Sequence, residues 1–247
     1  PEFNLYEEYW KIYTNSANIP PQYIAENAVV DKCIIANGTE IYGEVHSSVL
    51  GGSVTVGKGS VVRDSIIMQG VTIGENCVIG QNTNIKDCTI GNGTDIRSSF
   101  LTESTVGERT HIGPFAYLRP GSRIGNDCKV GDFVEIKNSS FGDGTKASHL
   151  TYVGDSDVGG GVNIGCGVVF VNYDGSEKHR SRVEDDAFIG CNTNLVSPVH
   201  IGEKAYIAAG ATVTKDVPAG ALCVAREKQR HIEGWVEKRG LLDKKKK

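Results

Sequence analysis

The stretch IGENCVIGQNTNIKDCTIGNGTDIR, residues 73–97, decides the fold. In it Ile73-Gly74, Ile79-Gly80, Ile85-Lys86, Ile90-Gly91 and Ile96-Arg97 recur every five or six residues. A helix needs apolar recurrence near about 3.6 residues and an isolated strand near about 2, so neither fits. A period of six with a β-branched aliphatic describes a short strand, a turn and another short strand. Three such units close one triangular coil of about 18 residues, whose aliphatics point to the axis and stack on the next coil. Four residues after many of the aliphatics stands a small residue, as in Cys77 after Ile73 and Thr83 after Ile79, which suits a tight interior corner. Ala116 after Ile112 and Ser122 after Leu118 repeat the pattern.

Outward from this stretch the rhythm continues through Leu101, Val106-Gly107, Ile112-Gly113, Leu118-Arg119, Ile124-Gly125, Val130-Gly131 and Ile136-Lys137. It resumes at Val158-Gly159, Ile164-Gly165, Ile189-Gly190, Ile201-Gly202, Ile207-Ala208 and Val213-Thr214. The expected fold is all-β, a parallel β-helix of roughly ten coils between about residues 25 and 218. The competing architecture, a sandwich of alternating strands, repeats every 8–12 residues or so, a spacing this chain does not keep.

Composition agrees. Of 247 residues 31 are Gly, nearly twice the usual share, while aromatics make up only 7%. Lys plus Arg is 26 against 30 acidic residues, a net charge of −4 that lacks the basic excess of a nucleic-acid binder. No run approaches the ~18 apolar residues of a membrane helix, so no membrane partner is expected. No charged and apolar leader is evident, and the cytoplasm is the expected location. The seven cysteines include no CxxC pair and no metal-ligand spacing, so they read as small buried thiols. No metal site is expected.

Two segments depart from the period, residues 137–153 and 169–183, the second holding Asn172-Tyr173-Asp174-Gly175-Ser176-Glu177-Lys178-His179-Arg180. Loops on a rigid scaffold are where sites are usually built. Past Pro218 the chain reads as a partly helical arm (219–247) ending in Lys244–Lys247, a solvated tail.

From about residue 78 to 240 the chain resembles the acetyltransferase half of the bacterial bifunctional N-acetylglucosamine-1-phosphate uridyltransferase/glucosamine-1-phosphate N-acetyltransferase family. The resemblance rests on Gly113-Pro114-Phe115-Ala116-Tyr117-Leu118-Arg119-Pro120-Gly121, Asp132-Phe133-Val134-Glu135-Ile136-Lys137 and His149-Leu150-Thr151-Tyr152. It extends through Gly161-Val162-Asn163-Ile164-Gly165, Asn172-Tyr173-Asp174-Gly175 and Glu233-Gly234-Trp235. Residues 4–75 instead resemble the first solenoid coils of ADP-glucose pyrophosphorylase, notably in Trp10-Lys11-Ile12-Tyr13-Thr14, Gly43-Glu44-Val45 and Asp64-Ser65-Ile66-Ile67-Met68. The change falls near Gly74 to Gly80, which suggests a chimera. On that reading residues 1–24 are a lead-in, 25–77 coils of one parent, and 78–218 the acetyltransferase coils.

The resemblance implies a left-handed coil, the rarer hand for a crossover. It also implies acetyl transfer from acetyl-CoA to the amine of glucosamine 1-phosphate, giving N-acetylglucosamine 1-phosphate, with no metal required. Neither family's nucleotide-binding domain is recognisable, so nucleotidyl transfer is not expected. His149 matches the family's base, a role that suits an imidazole. Glu135 is the candidate to orient it. His46, His111, His179, His200 and His231 read as surface or packing residues. Arg119 and Lys137 match sugar-phosphate ligands, with Lys178 a third cation, and an Arg fork grips phosphate bidentately. Tyr152 and Asn163 match residues that hold the sugar. Asn172, Tyr173, Cys166, Cys191, Ala209 and Arg226 match acetyl-CoA contacts, Cys166 standing where Ala is common and Cys191 where Ser is common. Direct transfer is expected in preference to attack by Cys191. The family implies a homotrimer with sites shared between adjacent subunits. The alternative is a structural solenoid or trimerisation scaffold without activity.

Overall fold

The computed structural model describes residues 18–241 together with Glu7 and Tyr9. The Trp10–Thr14 motif and the Lys244–Lys247 tail lie outside the described residues.

The described residues form thirty-two strands, most of two or three residues, and one helical turn at Trp235–Lys238. Successive coils pair in parallel, as in Thr72↔Thr89 with Ile73↔Ile90 and Val78↔Asp95 with Ile79↔Ile96. One face of the prism is a sheet of 11 strands; the other two faces join into a sheet of 21. Eleven strands on one face mean slightly more coils than the ten or so expected. The stack also runs further than expected at both ends, from Tyr23–Ile24 to Leu222–Cys223.

The hexad aliphatics fill the axis: Ile79, Ile85 and Ile96 are 0% exposed, and Ile73 and Ile90 at most 2%. The small residues between them are buried too, Cys77, Thr83, Ala116 and Ser122 all at 1% or less. Some of them bond as well as pack, Cys77 to the Gly91 carbonyl and Ser122 to that of Ile136, while Ala116 only packs and Thr83 Oγ1 has no partner among the described residues. Ser60 Oγ donates to the Gly74 carbonyl at 2.6 Å and Thr94 Oγ1 to that of Gly107 at 2.8 Å, one coil on. A hydroxyl at the corner thus satisfies a carbonyl that would otherwise be orphaned.

The hexad glycines answer to clearance between coils. A Cβ on Gly57 would lie 2.3 Å from the Gly74 carbonyl oxygen of the next coil. The seven cysteines carry no disulfide, but only Cys77, Cys88 and Cys128 are buried; Cys33, Cys166 and Cys223 are half-buried and Cys191 is exposed. The expectation of buried thiols fails for Cys166 and Cys191 on the outside of the coils, and holds only partly for Cys33 and Cys223, which pack against the core at the two ends of the stack. Among the described residues no helix is long and apolar enough to cross a membrane.

The two irregular segments differ. Residues 137–153 do not interrupt the coil. Strands Lys129–Lys137 and Lys146–Gly154 are nine residues each and run round a corner in unbroken register, from Lys129↔Lys146 to Lys137↔Gly154. The second segment is a true insertion. Asx bonds link coils 16 to 18 residues apart elsewhere, but 25 apart across it. The excess forms a hairpin closed by the antiparallel bridge Tyr173↔Lys178.

Candidate active site

The two nine-residue strands deliver the chemistry to two edges of the prism. At the first edge Asp132 lies in register with His149. Its Oδ1 is in hydrogen-bond contact with His149 Nδ1. Both side chains are open to solvent, Asp132 at 38% and His149 at 56%. Contact with the His149 ring, more than the small cost of burial, holds the Asp132 carboxyl below the usual carboxylate range.

Within one chain Glu135 does not reach His149. Three positions further along the strand it lies opposite Tyr152, and its Oε1 accepts a bond of 2.7 Å from Arg119 Nη1. A strand turns its side chains to alternate faces and advances about 3.3 Å per residue, which carries Glu135 away from the corner. Asp132 is the carboxylate that sequence reading missed. It lay inside the quoted Asp132–Lys137 motif, and only the register between coils reveals its partner.

The same edge continues below His149 as a column of small residues. Asn192 N donates to the Cys166 carbonyl and Gly210 N to the Cys191 carbonyl, both at 2.8 Å. Arg226 Nη1 bonds the Ala209 carbonyl. Cys166, Cys191, Ala209 and Arg226 therefore stack on successive coils, as their candidate roles require. Arg226 adds a guanidinium at the end of the column.

The second edge gathers ions. Lys137 Nζ sits 3.7 Å from Asp155 Oδ2. Lys178 beside it, then burial and Arg119, push the Lys137 ammonium below the usual lysine range against the pull of Asp155. Asp155 is itself buried, and burial alone would raise its pKa. Bonds from Asn138 Nδ2 at 2.6 Å and Asn172 Nδ2 at 2.5 Å, with the Lys137 and Lys178 charges, outweigh that and hold it low. Asn138 and Asp155 occupy left-handed corners at φ 46° and 49°, a conformation that Asn and Asp tolerate better than most residues. Neither was among the predicted site residues; a corner Asn or Asp one coil from a predicted cation was the available signal.

Tyr152 reaches the same place. A Cβ on Gly154 would fall 2.4 Å from the Tyr152 hydroxyl and 2.7 Å from Asn172 Nδ2, so only glycine leaves room where these two groups meet. The inserted hairpin brings Lys178 and is pinned at its base by Arg180, which bonds Asp157 at 2.6 Å and the Asn138 carbonyl at 3.0 Å. Within it Asp174 accepts from the Ser176 and Glu177 amides and pairs with His179 at 2.6 Å, so its carboxyl lies far below the usual range. Tyr173 is exposed at the hairpin, its hydroxyl bonded to the Gly175 carbonyl at 2.7 Å.

Arg119, Lys137, Lys178, Tyr152 and Asn172 are thus together, and His149, Cys166, Cys191, Ala209 and Arg226 are together. One protomer does not join the two groups: five residues of strand, about 16 Å, separate Asp132 from Lys137. Asn163 stands apart from the ionic edge, exposed on strand Asn163–Ile164 between Lys146 and Phe188.

The architecture is that of a hexapeptide-repeat solenoid. Residues 103–138 and 180–215 match the bacterial transferase hexapeptide repeat, and residues 15–113 match the family described as GlmU-like, C-terminal hexapeptide. More particularly, the chain is similar to the bifunctional protein GlmU. It is 50% identical to that of Alkaliphilus oremlandii over 240 residues, covering 97% of this chain and 52% of the relative. The relative from Clostridioides difficile is 50% identical over 215 residues, covering 87% of this chain and 47% of that one. The relative from Alkaliphilus metalliredigens is 44% identical over 237 residues, covering 96% and 52%. The chain thus spans about half the length of the curated relatives it matches. The GlmU-like match covers residues 15–113 and so spans the expected junction at residues 74–80.

Proposed function

We propose that this chain transfers acetyl from acetyl-CoA to the amine of glucosamine 1-phosphate, a cytoplasmic step towards UDP-N-acetylglucosamine. No uridylyl transfer is proposed for these residues. The observation that carries the reading is the pair of edges: an imidazole held by a carboxylate on one, and three converging cations on the other. Arg119, Lys137 and Lys178 outnumber the carboxylates among them, Glu135 and Asp155, by one charge, and a phosphate dianion suits such an Arg–Lys–Lys cluster. The similarity to GlmU supplies the identity of the sugar.

The chemistry follows from the groups. Arg119, Lys137 and Lys178 hold the phosphate, while Tyr152 and Asn163 orient the sugar, and Asn172 and Tyr173 lie beside the acetyl group. His149 Nε2 takes a proton from the attacking nitrogen as it forms its bond to the thioester carbon. Collapse of the tetrahedral intermediate breaks the C–S bond, and the imidazolium returns the proton to the departing thiolate. Cys166, Cys191, Ala209 and Arg226 line the edge that receives the pantetheine and phosphates of CoA. Because the two edges of one protomer lie a face width apart, the site is proposed to form between adjacent subunits of a homotrimer.

Release of free CoA in the presence of glucosamine 1-phosphate tests the reading. His149→Ala is expected to lower kcat by about 10²–10⁴-fold without unfolding the solenoid. A folded parent trimer that releases no CoA would leave a structural solenoid in place of an enzyme.

A further inference from the structure

The carboxylate on His149 comes from a corner built with unusual backbone constraint. Gly131 precedes Asp132, and a Cβ there would lie 2.0 Å from the Ser148 carbonyl oxygen. Only glycine lets these two coils approach so closely at this point. Phe133 and Leu150, which follow Asp132 and His149, both occupy the left-handed region at φ 56° and 47°. Bulky residues seldom adopt that conformation, and it persists where the surroundings over-determine it. Phe133 is further braced by a stack on Phe115, with ring centroids 5.4 Å apart and planes 14° from parallel. The backbones of Asp132 and His149 are therefore fixed against each other from both sides.

We propose that Asp132 is the positioning residue of the acetyl transfer: by accepting the Nδ1 proton of His149 it selects the tautomer whose Nε2 lone pair faces substrate. This rests on His149 being the base, as proposed above. The direction of the bond follows from charge. Asp132 is ionised, and an ionised carboxylate can only accept, so Nδ1 must donate. The neutral ring is thereby left with its free lone pair on Nε2. The other carboxylate on the strand, Glu135, is engaged by Arg119 at 2.7 Å and does not reach His149 of the same chain. Neutral histidine in water prefers the opposite tautomer, with the proton on Nε2, so without Asp132 much of the enzyme would present a donor where an acceptor is needed. Alignment and tautomer are what Asp132 contributes.

Long-range ¹H–¹⁵N spectra of the imidazoles, with the His149 signals assigned by their loss in His149→Gln, read the tautomer independently of catalysis. The parent is expected to carry the Nδ1–H form. Asp132→Ala is expected to shift His149 towards Nε2–H and lower kcat by about 10- to 100-fold, with KM for both substrates within about twofold. Glu135→Gln is expected to leave the tautomer unchanged. An Nε2–H ring in the parent overturns the proposal, as does an unchanged kcat in Asp132→Ala. A parent that holds the Nδ1–H form through Asp132 yet releases no CoA upholds the pairing and removes the acetyltransferase reading instead.

Discussion

One strand, Lys129–Lys137, supplies both edges of the candidate site, and the edges could hardly differ more. At the Asp132 end the solenoid offers one hydrogen-bonded imidazole above a column of small residues and carbonyls. At the Lys137 end it gathers Arg119, Lys137 and Lys178 with the buried Asp155 between them. In the proposed function the first edge receives a long, thin, mostly neutral chain lying across successive coils. The second receives a compact anion. A stiff prism keeps the two about 16 Å apart along one strand, so joining them requires a second prism. The separation that the fold imposes is the reason to expect shared sites.

Mixed trimers would break or sharpen that comparison most directly. His149→Ala and Lys137→Ala each remove one edge, so at sugar-phosphate concentrations well below the parental KM either homotrimer should be nearly inactive. Co-expressed in equal amounts they should recover about a quarter of the parental rate under the same conditions, since that fraction of shared sites draws an intact edge from each protein. Absence of any recovery in mixed trimers verified by mass would place both edges in one subunit's site.

A smaller effect is expected from the ionic edge alone. Lys137→Ala should raise KM for the sugar phosphate by about 10- to 100-fold, the worth of one charge-assisted bond, while KM for acetyl-CoA stays unchanged. Steady-state kinetics with each substrate varied in turn would show it. An equal rise for both substrates would mean that the two edges are not chemically separate.

The mildest effect is on pH. Lys178, burial and Arg119 depress the Lys137 pKa in the free protein, so some of its charge is lost at a pH where an ordinary lysine keeps it. A bound phosphate restores that charge, and binding therefore takes up a proton. Below the free-protein pKa of Lys137 affinity for the anion is at its full value; above it, affinity falls with rising pH. Calorimetric titration across the alkaline range should show that fall, and Lys137→Arg should move it to higher pH. A decline at the same pH in both proteins would assign it to another group.

How much of this was legible before folding divides along physical lines. The axis was legible because each hexad aliphatic answers a local demand, a short strand with one face inward, repeated every turn. Membership of the two edges was legible only as a resemblance: Arg119, Lys137 and Lys178 do gather, and so do His149, Cys166, Cys191, Ala209 and Arg226. Their partners were not. Outward positions of a coil obey no period, and nothing in the order Asp132-Phe133-Val134-Glu135 says which carboxylate meets His149. That choice was made by the register of two nine-residue strands, seventeen residues apart, and by a glycine that lets them close. The departure at residues 137–153 looked like a loop because its hexads are masked, whereas strand pairing carries the coil straight through it.

By itself, then, the sequence determined a stack of triangular coils, since a six-residue aliphatic rhythm with small corners admits little else. Tertiary structure alone decided that Asp132 holds His149, that Glu135 holds Arg119, and that Asp155, Asn138 and Asn172 seat Lys137. Such contacts join residues of different coils, and their geometry depends on register, clearance and the placement of the inserted hairpin. Local side-chain pattern carries none of those three.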